Sequence, residues 1–146
     1  ATGEIAVDAN NSFIEFYDGT ASRVVQPLLR CDKTIWDPDG MQTGEDAVPL
    51  MRVEAEWAPF GITIVDIFLA ADASNSTTYT LEEWTDPATW GSDIEGCAFS
   101  ASTEFEDDGT LADASIAAGS YVFIDLSTQA LNWLQISFTY RINEGN

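Results

Sequence analysis

The chain has 146 residues, enough for one ordinary domain. Folding at that length buries roughly 68–70% of the unfolded surface, so no disulfide or metal is required to hold the chain together. Twenty-five acidic residues stand against five basic ones, with Lys33 the only lysine, and the formal charge is −20. That balance excludes nucleic-acid binding through phosphate contacts, which needs clustered Lys and Arg, and it sets the chain against an anionic membrane surface. The absence of histidine excludes Ser–His–Asp and Cys–His nucleophilic sites.

Glu4–Asp8 and Phe13–Tyr17 are short apolar runs separated by Ala-Asn-Asn-Ser, a turn composition, and Asp18-Gly19 closes the second run as a hairpin signal. Arg23–Arg30 reads as a strand that Pro27 breaks or confines to an edge. Lys33–Trp36 is another extended piece. Asp37-Pro38-Asp39-Gly40 is a turn: Pro fixes φ, Asp bonds its own backbone and Gly permits φ > 0. Leu50–Trp57 alternates Met51, Val53, Ala55 and Trp57 against Arg52, Glu54 and Glu56, the pattern of a strand with one solvated face.

Pro59 and Gly61 break that pattern. Ile62–Ala70 follows, apolar on both faces apart from Asp66, and reads as a central strand covered on both sides or covered on one by a neighbouring subunit. Phe60–Ala71 is the longest apolar run, short of the about 20 residues that cross a bilayer, so no membrane insertion is expected. Thr77–Trp84 is the next strand, Asp86–Asp93 a loop and Gly96–Phe105 another strand. Glu106–Gly109 is an acidic turn, and Leu111–Ala118 has a helical flavour that suits a short turn of helix. Tyr121–Leu126 and Trp133–Ile142 read as neighbouring antiparallel strands forming one wall of a core. The second alternates Leu134, Ile136, Phe138, Tyr140 and Ile142 against Gln135, Ser137, Thr139 and Arg141.

About nine or ten short strands with frequent turn signals define an all-β chain, and residues 1–146 are expected to form a single β-sandwich domain, most simply a jelly roll. An immunoglobulin-like sandwich is the alternative. The spacing of Cys31 and Cys97 suits an inter-sheet bridge, but Trp36 follows Cys31 too closely for the usual third-strand tryptophan. Two separate buried thiols are the other reading of the cysteines. The chain starts at Ala1-Thr2-Gly3 with no charged-then-apolar signal segment, as a processed or trimmed chain would.

Chemistry is sparsely signalled. Glu54, Glu56, Glu82 and Glu83 fall on expected strands and could be paired as acid and base. A solvated strand face accounts for them more simply. Asp37, Asp39, Asp107 and Asp108 stand on Asp–Gly turns and are the candidate ligands for calcium, the only cofactor the sequence suggests. Turn chemistry explains the same residues without a metal. Five tryptophans remain, of which Trp57 and Trp133 suit the core. Trp36 and Trp90 lie beside turns and are the candidates for a subunit interface or for stacking on a glycan.

The C-terminal half combines Thr80–Trp84, the acidic turn Asp107-Asp108-Gly109, the small-residue stretch Ile116–Gly119, the strand Val122–Leu126 and Asn132-Trp133 before Leu134–Ile142. In that order it resembles β-modules of structural proteins on the virion surface of tailed bacteriophages, among them decoration, head-fibre and tail-associated proteins. The resemblance implies a subunit that oligomerises through its sheets, with copies of itself or other virion proteins as partners. The function expected is therefore a non-enzymatic structural or interaction protein on a virion or other extracellular surface. A carbohydrate-binding module is one alternative. A filament subunit that donates Glu4–Tyr17 to a neighbour's sheet is another. The acidic, lysine-poor composition also suits an extracellular or saline setting. Added salt should therefore raise the melting temperature near neutral pH by screening self-repulsion, and a melting temperature that stays fixed from low to high salt contradicts this.

Overall fold

The structure is a computed structural model describing residues 4–8, 13–17, 22–25, 27–36, 47–72, 77–99, 104–107, 111, 113–126 and 132–144. Every regular element among them is a strand. Three come first: β1 (Glu4–Asp8), β2 (Phe13–Tyr17) and β3 (Ser22–Val25). They pair antiparallel in the order β1-β2-β3 as a sheet of their own. Pro27 then interrupts the chain, as a residue without an N–H must, and β4 (Leu29–Trp36) begins beyond it.

Two further antiparallel sheets make a sandwich. The first is built from β4, β6 (Ile62–Ala71), β9 (Glu104–Asp107), β10 (Ser115–Ile116) and β12 (Trp133–Ile142). Its order is β10-β6-β12-β4, with β9 also paired to β6. The second is β5 (Val48–Arg52), β11 (Tyr121–Leu126), β7 (Thr77–Asp86) and β8 (Thr89–Phe99), in the order β5-β11-β7-β8. Period-two patterning turns Ile62, Ile64, Ile67, Leu69, Leu134, Ile136 and Phe138 inward from the first sheet. Leu50, Tyr79, Leu81, Ile94, Val122 and Ile124 meet them from the second. The all-β sandwich expected from the sequence is therefore the fold, with the jelly roll a finer description than the strand order itself supplies.

The strands Tyr121–Leu126 and Trp133–Ile142 form as expected, but they are not neighbours. β11 pairs with β5 and β7, whereas β12 pairs with β4 and β6. The two face each other across the core. Alternation tells which side chains are buried and not which strand lies alongside, and a polar link suits a sheet crossing as well as a hairpin.

Leu50–Trp57 is cut short. β5 ends at Arg52, and Val53 is buried with its N–H given to the Ser120 carbonyl at 2.8 Å. A turn follows, in which the Ala58 N–H bonds the Glu54 carbonyl at 3.0 Å. This leaves Glu54 and Glu56 in water instead of on a strand. Trp57 is not a core residue: it is 37% exposed and tilts against Tyr140 with ring centroids 6.3 Å apart.

Asp86–Asp93 is not a loop either. Asp86 Oδ1 accepts the Ala88 N–H at 2.8 Å, a tight turn that lets β8 start at Thr89. The expected Gly96–Phe105 strand is divided between β8, which ends at Phe99 in the second sheet, and β9, which begins at Glu104 in the first. The expected helical turn near 111–118 is strand β10. Burial of Ile116 and the bond from the Ile64 N–H to the Ala114 carbonyl, at 2.8 Å, outweigh the helical preference of its alanines. Cys31 is a free thiol packed against the core, and burial raises its pKa. The side chain of Cys97 lies outside the described residues.

Gly61 joins the turn to β6 at φ +80, and a Cβ there would sit 2.0 Å from the Ile116 carbonyl oxygen. Gly61→Ala should lower the unfolding free energy by about 2 kcal/mol or more, read by urea denaturation. An unchanged midpoint would mean that the contact with β10 does not form.

Candidate interaction faces

The outward surface of the second sheet is built on Glu82. β7 turns Leu81 into the core, so Glu82 and Trp84 point away from it. Their neighbours in register are Phe123 and Tyr121 on β11, and Asp93 and Trp90 on β8. Trp84 stacks on Phe123 with centroids 4.6 Å apart and planes 23° from parallel. Tyr121 lies 6.2 Å from Phe123, and the Arg52 guanidinium sits 5.6 Å from the Tyr121 ring centroid. The result is an aromatic row running across the sheet from Trp90 to Arg52.

Glu82 lies beneath this row, 8% exposed. The Trp84 indole N–H donates to its Oε2 at 2.7 Å, and Trp90 supplies a further hydrogen bond. Burial pushes its pKa up, with Asp125 and Asp93 adding like charge, while the indole bonds act in the opposite direction. Glu82 thus fixes the orientation of two indoles. Trp90 is nevertheless 54% exposed, a held ring with an open face.

The outward surface of the first sheet carries Trp36 and Trp133, paired in register at one end of β4 and β12. Trp36 is 65% exposed and Trp133 half-buried. Further along lies a polar cluster. Arg30 Nε bonds Asp32 Oδ1 at 2.7 Å, and Arg30 Nη2 bonds Ser137 Oγ at 2.9 Å. The Ser137 hydroxyl donates in turn to Asp32. The Ser137 bond, with that of Arg30, holds the Asp32 carboxyl below its ordinary range. The start of β12 is tied separately. Asp72 accepts the Asn132 side chain at 2.7 Å, the Asn132 backbone at 3.0 Å and the Trp133 backbone at 3.3 Å. These bonds, the Asn132 side chain foremost, lower its pKa.

The structure therefore does not bring Trp36 and Trp90 together: they stand on opposite outer faces. Asp37, Asp39 and Asp108 lie outside the described residues, as does the side chain of Asp107 at the end of β9. Among the described residues no group of three or more His, Cys, Asp and Glu is placed to hold a metal. No described helix is long and apolar enough to cross a membrane. Of the four glutamates considered for acid–base pairing, Glu82 is buried rather than on a solvated face, and Glu83 accepts the Ala117 N–H at 2.9 Å. Sequence reasoning missed the roles of Glu82, Trp84, Phe123 and Arg52. The available signal was the Glu82–Trp84 spacing, two apart on a strand and so on one face.

No protein-family model matches the chain, and no curated protein matches it. Among solved structures, it is similar to a chain of the cyanophage Pam1 capsid asymmetric unit, with 17% identity and a TM-score of 0.46 over 81% of this chain and 86% of that one. It is also similar to a chain from Bacillus endospore appendages, which form disulfide-linked pili. There the identity is 12% and the TM-score 0.46 over 83% of this chain and 92% of that one. No residue role passes from either to this protein.

The pKa of Glu82 has a consequence for stability. Because folding raises it above the ordinary value of 4.5, the contribution is complete below that value and is lost as pH rises through the folded pKa. Glu82→Gln keeps an acceptor for the indole and removes the charge. Its melting temperature should gain on the wild type as pH rises from about 4.5 to 7. A variant that loses ground over that range would show the ionised carboxylate to be favoured by its neighbours.

Proposed function

We propose that this chain is a non-enzymatic structural protein that assembles with copies of itself or with other surface proteins on a virion or another extracellular surface. The observation that carries this reading is the pair of exposed indoles, Trp36 and Trp90, on opposite faces of one sandwich. A single ligand site gathers its aromatic groups into one concave place. A subunit contacted on two sides spreads them, and exposed Trp is the residue type that most often anchors such contacts. The acidic charge supports an extracellular setting, and the sequence resemblance to phage surface modules supports a virion.

The second reading, a carbohydrate-binding module, draws on one observation. Glu82 holds Trp90 with its ring face open and carboxylates nearby, the arrangement that stacks on a sugar and bonds its hydroxyls.

Sedimentation velocity at micromolar concentration separates the two. The structural reading expects a multiple of 15.9 kDa. Trp36→Ala and Trp90→Ala should each weaken association by about 2 kcal/mol or more, roughly thirtyfold. A wild-type monomer at low and high salt contradicts that reading. Unchanged mass with lost retention of Trp90→Ala on a polysaccharide matrix establishes the module instead.

A further inference from the structure

We propose that two copies of this chain pair face to face through the outer surface of the second sheet, about a two-fold axis parallel to its strands that seats Arg52 of each copy on the open ring of the other copy's Trp90. This pairing rests on the assembly reading and names the partner at one of its two faces. Four residues, one on each strand, lie in a single register row: Arg52 is opposite Tyr121, Tyr121 opposite Trp84, and Trp84 opposite Trp90. Side chains opposite one another in a ladder share a face, here the outer one. The strand order β5-β11-β7-β8 puts Arg52 at one edge and Trp90 at the other. These ends are the open parts of the row. The Arg52 side chain is 52% exposed and Trp90 54%, while Tyr121 and Trp84 between them are half-buried. Tyr121 lies under the guanidinium and Glu82 bonds Trp90, so both ends are oriented before a partner arrives.

Charge and symmetry select the partner. Glu82 and Asp93, opposite each other in the adjacent row, make the β7–β8 side acidic, whereas Arg52 brings a positive charge to the β5 edge. Glu54 stands 3.8 Å from that guanidinium with both groups in water, and so leaves its charge largely unmet. A half-turn about an axis along the strands, passing between β11 and β7, exchanges the two edges. Each β5 then lies over the partner's β8, and each β11 over the partner's β7. Arg52 meets an indole face, the aromatic surface that attracts cations most strongly, with Asp93 one row away, and Tyr121 meets the partner's Trp84. The contact is made twice, as a two-fold pairing requires. An axis running across the strands would set Arg52 on Arg52 and Trp90 on Trp90, with like charges together at one edge and no cation on either ring. A second copy fits because the same row, reversed, supplies both the ring for Arg52 and the guanidinium for Trp90.

The test is sedimentation equilibrium of the full chain carrying Trp36→Ala, which leaves the outer face of the second sheet to associate. A dimer, twice 15.9 kDa, is expected at concentrations where the wild type assembles. Arg52→Ala and Trp90→Ala, each added to that background, should raise the dimer dissociation constant by about tenfold or more, and Arg52→Lys should raise it less. The double variant Arg52→Ala/Trp90→Ala should fall short of the product of the two single effects by at least about threefold. Within one subunit the two residues stand three strand spacings apart, about 14 Å, too far to couple, so coupling in the association constant arises across the interface. Multiplicative single effects in the dimer, or a Trp36→Ala protein that is monomeric where the wild type assembles, would overturn this pairing and leave the assembly reading standing. A wild type that is monomeric at low and high salt would overturn both.

Discussion

Strand β12 is the constraint on which the remainder of the sandwich depends. It is hydrogen-bonded along both edges, to β4 from Trp133↔Trp36 to Tyr140↔Leu29 and to β6 from Leu134↔Ala71 to Ile142↔Ile62. One face supplies Leu134, Ile136 and Phe138 to the core, and the other supplies Trp133, Ser137 and Thr139 to the outer surface. A one-residue slip would exchange these faces, burying hydroxyls and exposing apolar groups, so the register is strongly specified. Both ends are pinned. Asp72 grips Asn132 and Trp133 at the start. At the finish, Thr63 Oγ1 bonds Asn143 Oδ1 at 2.6 Å and the Asn143 N–H bonds the Gly61 carbonyl at 2.9 Å. Two polar clamps therefore hold an apolar strand in place, and the flanking strands align to it.

How much of this was legible follows from what alternation encodes. The inward set of β12 could be read directly, because burial of one face imposes period two on the residues that make it, whereas β6 and β11 read as apolar runs without a marked inner face. Pro27 also acted where it stands, whereas the tight turn at Asp86 was read as part of a longer loop. Strand partners could not be read. Tyr121–Leu126 and Trp133–Ile142 are close in sequence and both apolar, yet the core needed one in each sheet. The alanine-rich 111–118 stretch misled because its local preference is weak, and one buried side chain, Ile116, was enough to make it an edge strand. Glu82 was hidden for a different reason. Among 25 acidic residues Glu82 has no compositional mark, and its burial arises from aromatic neighbours on β8 and β11 that only the fold brings near.

The outer faces show where the chain departs from what stability alone would select. A buried carboxylate beneath Trp84 and an unpaired oxygen at Asp66 each oppose folding, and the indoles of Trp36 and Trp90 gain little from it because they stay largely in water. The described core side chains from the two sheets pack against one another, on strands paired in antiparallel ladders. Among the described residues these features lie on the two opposite outer surfaces, the places that the proposed assembly would cover.

The most direct measurement of that account is hydroxyl-radical footprinting of Trp36 and Trp90 in the native protein over a range of concentrations. Assembly through both faces predicts that oxidation of both indoles falls together as concentration rises, while Trp57, at the edge of the sandwich, stays reactive. Oxidation of Trp36 and Trp90 that does not change with concentration would contradict it.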